Sequence, residues 1–267
     1  IDVGPYELQS APAAPFVCEI EETGQQFQTI QQALNALEQM NNFNSGGENK
    51  TFKVYPGTVT GEGNRGLVWP NVEGITLQGN TSADTILNAE QATRHISVAY
   101  SVSFSIKDIS LVNGSGPEGG CVYFVVQATM NMTDCIVSGN IADNGGAFSG
   151  GYIVIEGSLI KANSAQDEYG AVFVGGDYIV DRCSIEDNYS GDIGVVAGDV
   201  NSLEIKNSTL VGNTADSDGG LFFGSKLKLI NVLIYKNEGG VFYDGENLVV
   251  NSTIANNSGD IYTDNNI

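Results

Sequence analysis

The chain has 267 residues, 41% of them hydrophobic, with 32 Asp+Glu against 11 Lys+Arg and a net charge of −21. That apolar content is ample for a core, and no apolar run approaches the ~20 residues that a membrane-spanning helix needs. The scarcity of Lys and Arg excludes nucleic-acid binding and docking on anionic lipid, both of which need a basic face. The numbering starts at Ile1 without a signal peptide, as in a processed or excised chain, and the acidity suits an extracellular or cell-surface location.

In chain order, residues 1–26 read as an N-terminal arm or linker and 27–267 as a single solenoid domain. Thr29 can cap a helix over 30–40, with Ile30, Ala33, Leu34 and Leu37 on one face. An amphipathic helix before the first coil predicts a lid over an open hydrophobic end. Short apolar runs bounded by turn residues then predict strands at 52–55, 75–77, 85–87, 96–98 and 106–112. The lone histidine, His95, lies in an apolar-flanked run and reads as structural.

From residue 137 a pattern recurs six times. An aliphatic residue and an Asn three positions later end at Asn140, Asn163, Asn188, Asn213, Asn237 and Asn257, in steps of 23, 25, 25, 24 and 20. Each is followed by a small residue or Gly pair and an apolar pair, as in GGAF at 145–148, YGAV at 169–172 and GGVF at 239–242. Between them lie further short runs at 152–155, 178–180, 203–205, 227–230 and 248–250. A period near 24 residues built from short strands predicts a right-handed parallel β-helix. Strands from about 51 to 262 would make roughly nine coils stacked at ~4.8 Å, about 40 Å in all. Stacked asparagines can bond to each other and to turn backbone, so the six form a structural ladder. Ala147, Ala171, Val195, Leu221, Val241 and Ile261 should point inward.

Asp143, Asp167, Asp192, Asp216 and Asp218 follow ladder asparagines by three to five residues and should line one edge. They read as a solvated acidic edge, with Ca2+ as the cofactor that oxygen ligands of this kind would take. Cys135 and Cys183 occupy equivalent places two coils apart, beyond the ~7 Å Cα limit for a disulfide. With Cys121 they read as small buried residues, and the pairing state of Cys18 stays open. Asn-x-Ser/Thr acceptors for glycans occur at Asn49, Asn80, Asn113, Asn131, Asn207, Asn251 and Asn256, and also at Asn188 within the ladder.

The segments TIQQAL at 29–34, FKVYPG at 52–57 and ITLQG at 75–79 resemble the opening of pectin-lyase-like right-handed β-helix proteins. The paired Gly-Gly-Ala-Phe and aliphatic-x-x-Asn repeats resemble those of polymorphic outer-membrane-protein-like surface and adhesin repeats. The resemblance covers roughly 27–262. Catalytic members of the superfamily need a basic proton abstractor beside a calcium-binding carboxylate cluster, or paired carboxylates. The three arginines here, Arg65, Arg94 and Arg182, stand in unrelated settings, so the expectation is a chain that is not an enzyme.

DVGPYE at 2–7 resembles a segment that in such surface proteins closes the last coil. Here it sits at the N-terminus, and the sequence stops at Ile267 where a closing segment would follow. The first expectation is therefore head-to-tail assembly into a filament or surface stalk. Asp2, Val3, Pro5, Tyr6 and Leu8 of one copy would complete the last rung of another at Ile261 and Tyr262. The partners are then other copies of the chain, with surface glycans as further ligands. The alternatives are a monomeric carbohydrate-binding adhesin domain and a polysaccharide lyase.

Overall fold

The computed structural model describes residues 15–43, 47–167, 170–192, 194–216 and 220–259. It is an all-β solenoid with one helix, α1 (Ile30–Asn42). Thr29 is extended and its hydroxyl accepts from the Gln32 amide, while the Gln32 side chain accepts from the Thr29 amide. This reciprocal cap satisfies two amides that helix geometry leaves unpaired. Ile30, Ala33, Leu34 and Leu37 are buried against the first coil. Within the segment 1–26 read above as an arm, two stretches are strands. Cys18–Ile20 runs antiparallel to Thr51–Val54 on one side and to Gln25–Phe27 on the other. Helix and antiparallel strands together close the N-terminal end.

Beyond that end the strands stack in parallel as three sheets. The first sheet carries two strands per coil, a short one and a five-residue one. These fuse into nine-residue strands in the last two coils, Phe222–Ile230 and Phe242–Val250. Alternation along the five-residue strands is regular: in Tyr152–Glu156, Ile153 and Ile155 face in while Tyr152, Val154 and Glu156 face out. The second sheet has nine strands, from Gly57–Val59 to Thr253–Ala255. The third has five, from Ser115–Glu118 to Thr214–Ala215.

The solenoid has about seven turns rather than nine. Seven long strands of the first sheet, from Ser103–Lys107 to Phe242–Val250, repeat in register. Thr51–Val54 and Ile75–Gln78 extend that sheet, but their turns contribute no strand to the third sheet, which starts only at Ser115. A count from length divided by period treats these irregular N-terminal turns as full coils. The strand expected over 106–112 is also split, into Ser103–Lys107 and Ser110–Val112. Asp108 between them has φ 57°, a left-handed corner that turns the chain from the first sheet to the second.

Left-handed corners of this kind recur from coil to coil. One falls just before the ladder position, at Asn113, Gly139, Ala162, Asp187, Gly212, Lys236 and Asn256. Gly145, Gly170, Gly194 and Gly239 form another. A Cβ on Gly170 would come within 2.2 Å of the Phe173 carbonyl, so both φ and the close approach demand glycine there. The interior is a continuous apolar column. Ala147, Ala171, Val195, Leu221 and Val241 lie fully inside it, whereas Ile261 falls outside the described residues. Phe148 stacks on Phe173 and Phe222 on Phe242, with ring centroids 5.8 and 5.9 Å apart, one coil per ring.

Candidate functional site

Five of the six repeat asparagines are buried in one column, and Asn257 is half-buried at its end. In each step the Oδ1 of one Asn accepts both the main-chain N–H and the Nδ2 of the Asn one coil earlier. For Asn140 on Asn163 these distances are 3.1 and 2.9 Å. Each Nδ2 also donates to a carbonyl of the preceding coil, as Asn188 does to Ile160. A second column runs beside it. The Ser158 hydroxyl accepts from the Cys135 amide and the Ser208 hydroxyl from the Cys183 amide, so Cys135 and Cys183 sit two coils apart with Ser158 between. All four cysteines are free and buried. Burial pushes the thiols up, to about 12 for Cys18 and Cys135 and about 11 for Cys183, which makes them poor nucleophiles.

His95 is buried, with Nε2 3.0 Å from the Val112 carbonyl and no partner for Nδ1. Burial lowers its pKa to about 4, which that single bond only partly offsets. It is a neutral core residue.

The acidic residues of the third sheet and its following turn lie one coil apart. The Asp167 amide donates to the Asp143 carbonyl, and Asp216 accepts from the Tyr189 hydroxyl. Asp143, Asp167 and Asp216 are exposed and Asp192 is half-buried, while Asp218 lies outside the described residues. Among the described residues no three Asp, Glu, His or Cys side chains converge as metal ligands. Of the glycan acceptors, Asn49, Asn80, Asn131, Asn207, Asn251 and Asn256 are exposed. The Asn80, Asn113 and Asn207 amides donate to Asp84, Asn88 and Asp181. Asn188 is locked in the ladder by its two Nδ2 bonds.

Two surface features remain that sequence reading could only partly reach. The first is the last described coil. Along the first sheet, the inward column Ile106, Met132, Ile155, Val180, Ile205 and Leu229 is fully buried. Its next member, Val249, is 38% exposed, with Leu248 at 53% and Val250 at 37% beside it. The inward column is thus uncovered at Val249, while Val241 and Phe242 of the same coil stay buried and Leu248 and Val250 register with the outward Lys228 and Ile230. The assembly residues Asp2, Val3, Pro5, Tyr6, Leu8, Ile261 and Tyr262 all lie outside the described residues.

The second feature is a groove on the outward face of the first sheet. Glu204 lies between Lys206 and Lys228, at 3.4 and 3.2 Å. Burial raises the Glu204 pKa, but hydrogen bonds from the two ammonium groups outweigh it and hold the carboxyl below its usual value. One coil earlier, Arg182 pairs with Asp181 and Glu156, and the Ser202 hydroxyl bonds Asp177 at 2.6 Å. In the sequence Arg182 stands in a setting unrelated to the other arginines, and stacking brings it beside Glu156 of the preceding coil.

No protein-family model and no curated protein matches the chain. A solved structure that it resembles is the catalytic domain of a GH87 alpha-1,3-glucanase in complex with tetrasaccharides, at 12% identity and a TM-score of 0.30. The match covers 86% of this chain and 64% of that one, so this chain spans less than two thirds of that domain. Because that structure is a catalytic domain, the expectation of a chain without enzymatic activity is corrected and is not carried forward. A likeness this distant assigns no activity to particular residues. Among the described residues no helix is long and apolar enough to cross a membrane.

Proposed function

We propose that this chain is an extracellular β-helix module that joins end to end with other copies through its last coil. The observation that carries the reading is Val249. It is 38% exposed at a column position that is fully buried in the six preceding coils. Completing one more coil would cover Leu248, Val249 and Val250, and apolar burial contributes about 25 cal/mol per Å2. Among the described residues the nine-residue strand Phe242–Val250 pairs only with Phe222–Ile230, and an edge strand of this kind offers backbone donors and acceptors that favour strand addition. The two ends are not equivalent, since helix and antiparallel strands close the other one, and that polarity favours a heterologous, propagating contact. The resemblance of residues 2–7 to a coil-closing segment supports that segment of a second copy as the occupant. The resemblance of the repeats to surface and adhesin proteins supports a stalk or filament outside the cell.

Sedimentation velocity over a concentration series tests this. Wild type should form a ladder of head-to-tail species, and Val249→Lys, at the inward column position, should be monomeric with an unchanged circular dichroism spectrum. Deleting residues 1–8 should have the same effect as that lysine. A wild type that stays monomeric throughout, or polymers undiminished in both variants, would rule the reading out.

A further inference from the structure

The N-terminal end presents a surface of its own. A cleft of about 400 Å3 runs along the side of α1 that faces away from the core. The buried Ile30, Ala33, Leu34 and Leu37 take one face of the helix. Gln32, Asn35, Ala36 and Gln39 follow the same helical spacing on the opposite face and line the cleft. Phe27 and Phe16, the latter 51% exposed, add an apolar wall. Beside the helix runs Gln25–Phe27, the outermost first-sheet strand at this end, which among the described residues pairs only with Cys18–Ile20. Phe242–Val250 is its counterpart at the other end of the same sheet.

Charge narrows the occupant. At a net charge of −21, two copies repel wherever their carboxylates meet. Every side chain lining the cleft is uncharged, so it offers nothing to hold an ion. Residues 247–259, which run through the last coil to the end of the described chain, also hold no Asp, Glu, Lys or Arg. The polar groups of the two ends match as well. Each Gln and Asn amide in the cleft supplies both a donor and an acceptor. The last coil offers the exposed amides of Asn251 and Asn256. It also offers the backbone edge of Thr253–Ala255, which among the described residues pairs only with Leu233–Tyr235. Phe16 lines the cleft, and residues 9–15 ahead of it span at most about 23 Å. Residues 1–8 therefore start within reach of whatever the cleft holds.

We propose that this cleft seats the last coil of a second copy of the chain, at residues 251–259. End-to-end joining through the last coil is its premise, and the cleft is the receiving surface. Ile254 packs on Ala36 and Phe16, and the amides of Asn35 and Gln39 bond Asn251, Asn256 and the open backbone of Thr253–Ala255. The outermost first-sheet strands of the two copies then face each other, with residues 1–8 of the receiving copy between them.

Sedimentation velocity of the full chain tests the cleft separately from the last coil. Asn35→Asp with Gln39→Glu places two carboxylates in the cleft at almost unchanged shape. It should weaken self-association about tenfold or more, because like charge at an interface is strongly disfavoured. Phe16→Ser, which adds no charge, should weaken it as well. Both variants should keep the wild-type circular dichroism spectrum, since all three side chains are exposed. The acidic cleft variant keeps an intact last coil, and Val249→Lys keeps an intact cleft. Each should stay monomeric alone where wild type associates, and their mixture should give a one-to-one dimer and nothing larger. Cleft variants that polymerise as well as wild type would overturn the assignment and leave end-to-end joining standing. An acidic cleft variant that fails to dimerise with Val249→Lys would overturn it too. Wild type that is monomeric at every concentration would remove both.

Discussion

Asn163 makes four hydrogen bonds with one buried amide. Its Oδ1 accepts from the main chain and Nδ2 of Asn140, and its Nδ2 donates to Val137 and Asn188. Asn163→Leu would leave two donors of Asn140 and one carbonyl short of a partner in a dry interior. At about 1–3 kcal/mol per orphaned group, partly relaxed, the variant should lose about 2–4 kcal/mol by denaturant unfolding. Asn257 makes comparable bonds but is half-buried, so water can replace them. Asn257→Leu should therefore cost about 1 kcal/mol or less. Equal losses at both sites would show that burial does not set the cost.

His95 sets a pH dependence. Its pKa is about 4 folded against 6.5 in the unfolded chain, because burial disfavours the imidazolium. Between those values the unfolded chain binds more protons, so stability rises with pH across that window. The full stability is present above pH 6.5 and is lost as pH falls towards 4. A shift of this size corresponds to about 3 kcal/mol. His95→Gln should flatten the profile by that order in the same window, once the shared carboxylate titration is subtracted. A variant profile parallel to wild type would show that the imidazole is already solvated.

At the scale of the element, the strands follow from alternation. Ser202–Lys206 is legible because inward Leu203 and Ile205 alternate with Ser, Glu and Lys, and Tyr152–Glu156 because it is a short β-branched run bounded by glycines. Corners are only half legible. Gly145 and Gly170 announce a left-handed turn, since no other residue fits, but Ala162, Arg182 and Lys236 adopt φ 52°, 54° and 55° without any such signature. There the coil geometry overrides local preference, because in-register neighbours on both sides fix where the chain must turn. The outer groove was illegible for a related reason. Tyr152, Asp177, Ser202 and Lys226 are about 25 residues apart, and only stacking brings them together. The strain at Ala162 is measurable. Asn occupies the equivalent corner at Asn113 and Asn256 and tolerates left-handed φ. Ala162→Asn should raise stability by about 0.5–1 kcal/mol in thermal unfolding, and a neutral or negative effect would mean the corner stores no strain.

On the scale of the molecule, each coil touches only its neighbours, so stability is close to a sum of coil terms and interface terms. The two ends then differ by what they lack. The first coil is sandwiched between α1 with its antiparallel strands and the coil above, whereas the last described coil has one neighbour and leaves Leu248, Val249 and Val250 exposed. Local opening should be cheapest where an interface is missing. Native-state hydrogen exchange should therefore show a gradient. Protection should be highest across strands Ser103–Lys107 to Ser202–Lys206 and should fall through Phe222–Ile230 to Phe242–Val250. The amides of Thr51–Val54 should stay protected despite their end position, because Cys18–Ile20 covers them. The gradient also reports on assembly. If a second copy completes the last coil, raising the protein concentration should slow exchange in Phe242–Val250 and Thr253–Ala255 and leave the central strands unchanged. Val249→Lys should abolish that concentration dependence. A last coil as protected as the centre in dilute monomer would mean its edge is already covered, and end-to-end joining would lose its driving force.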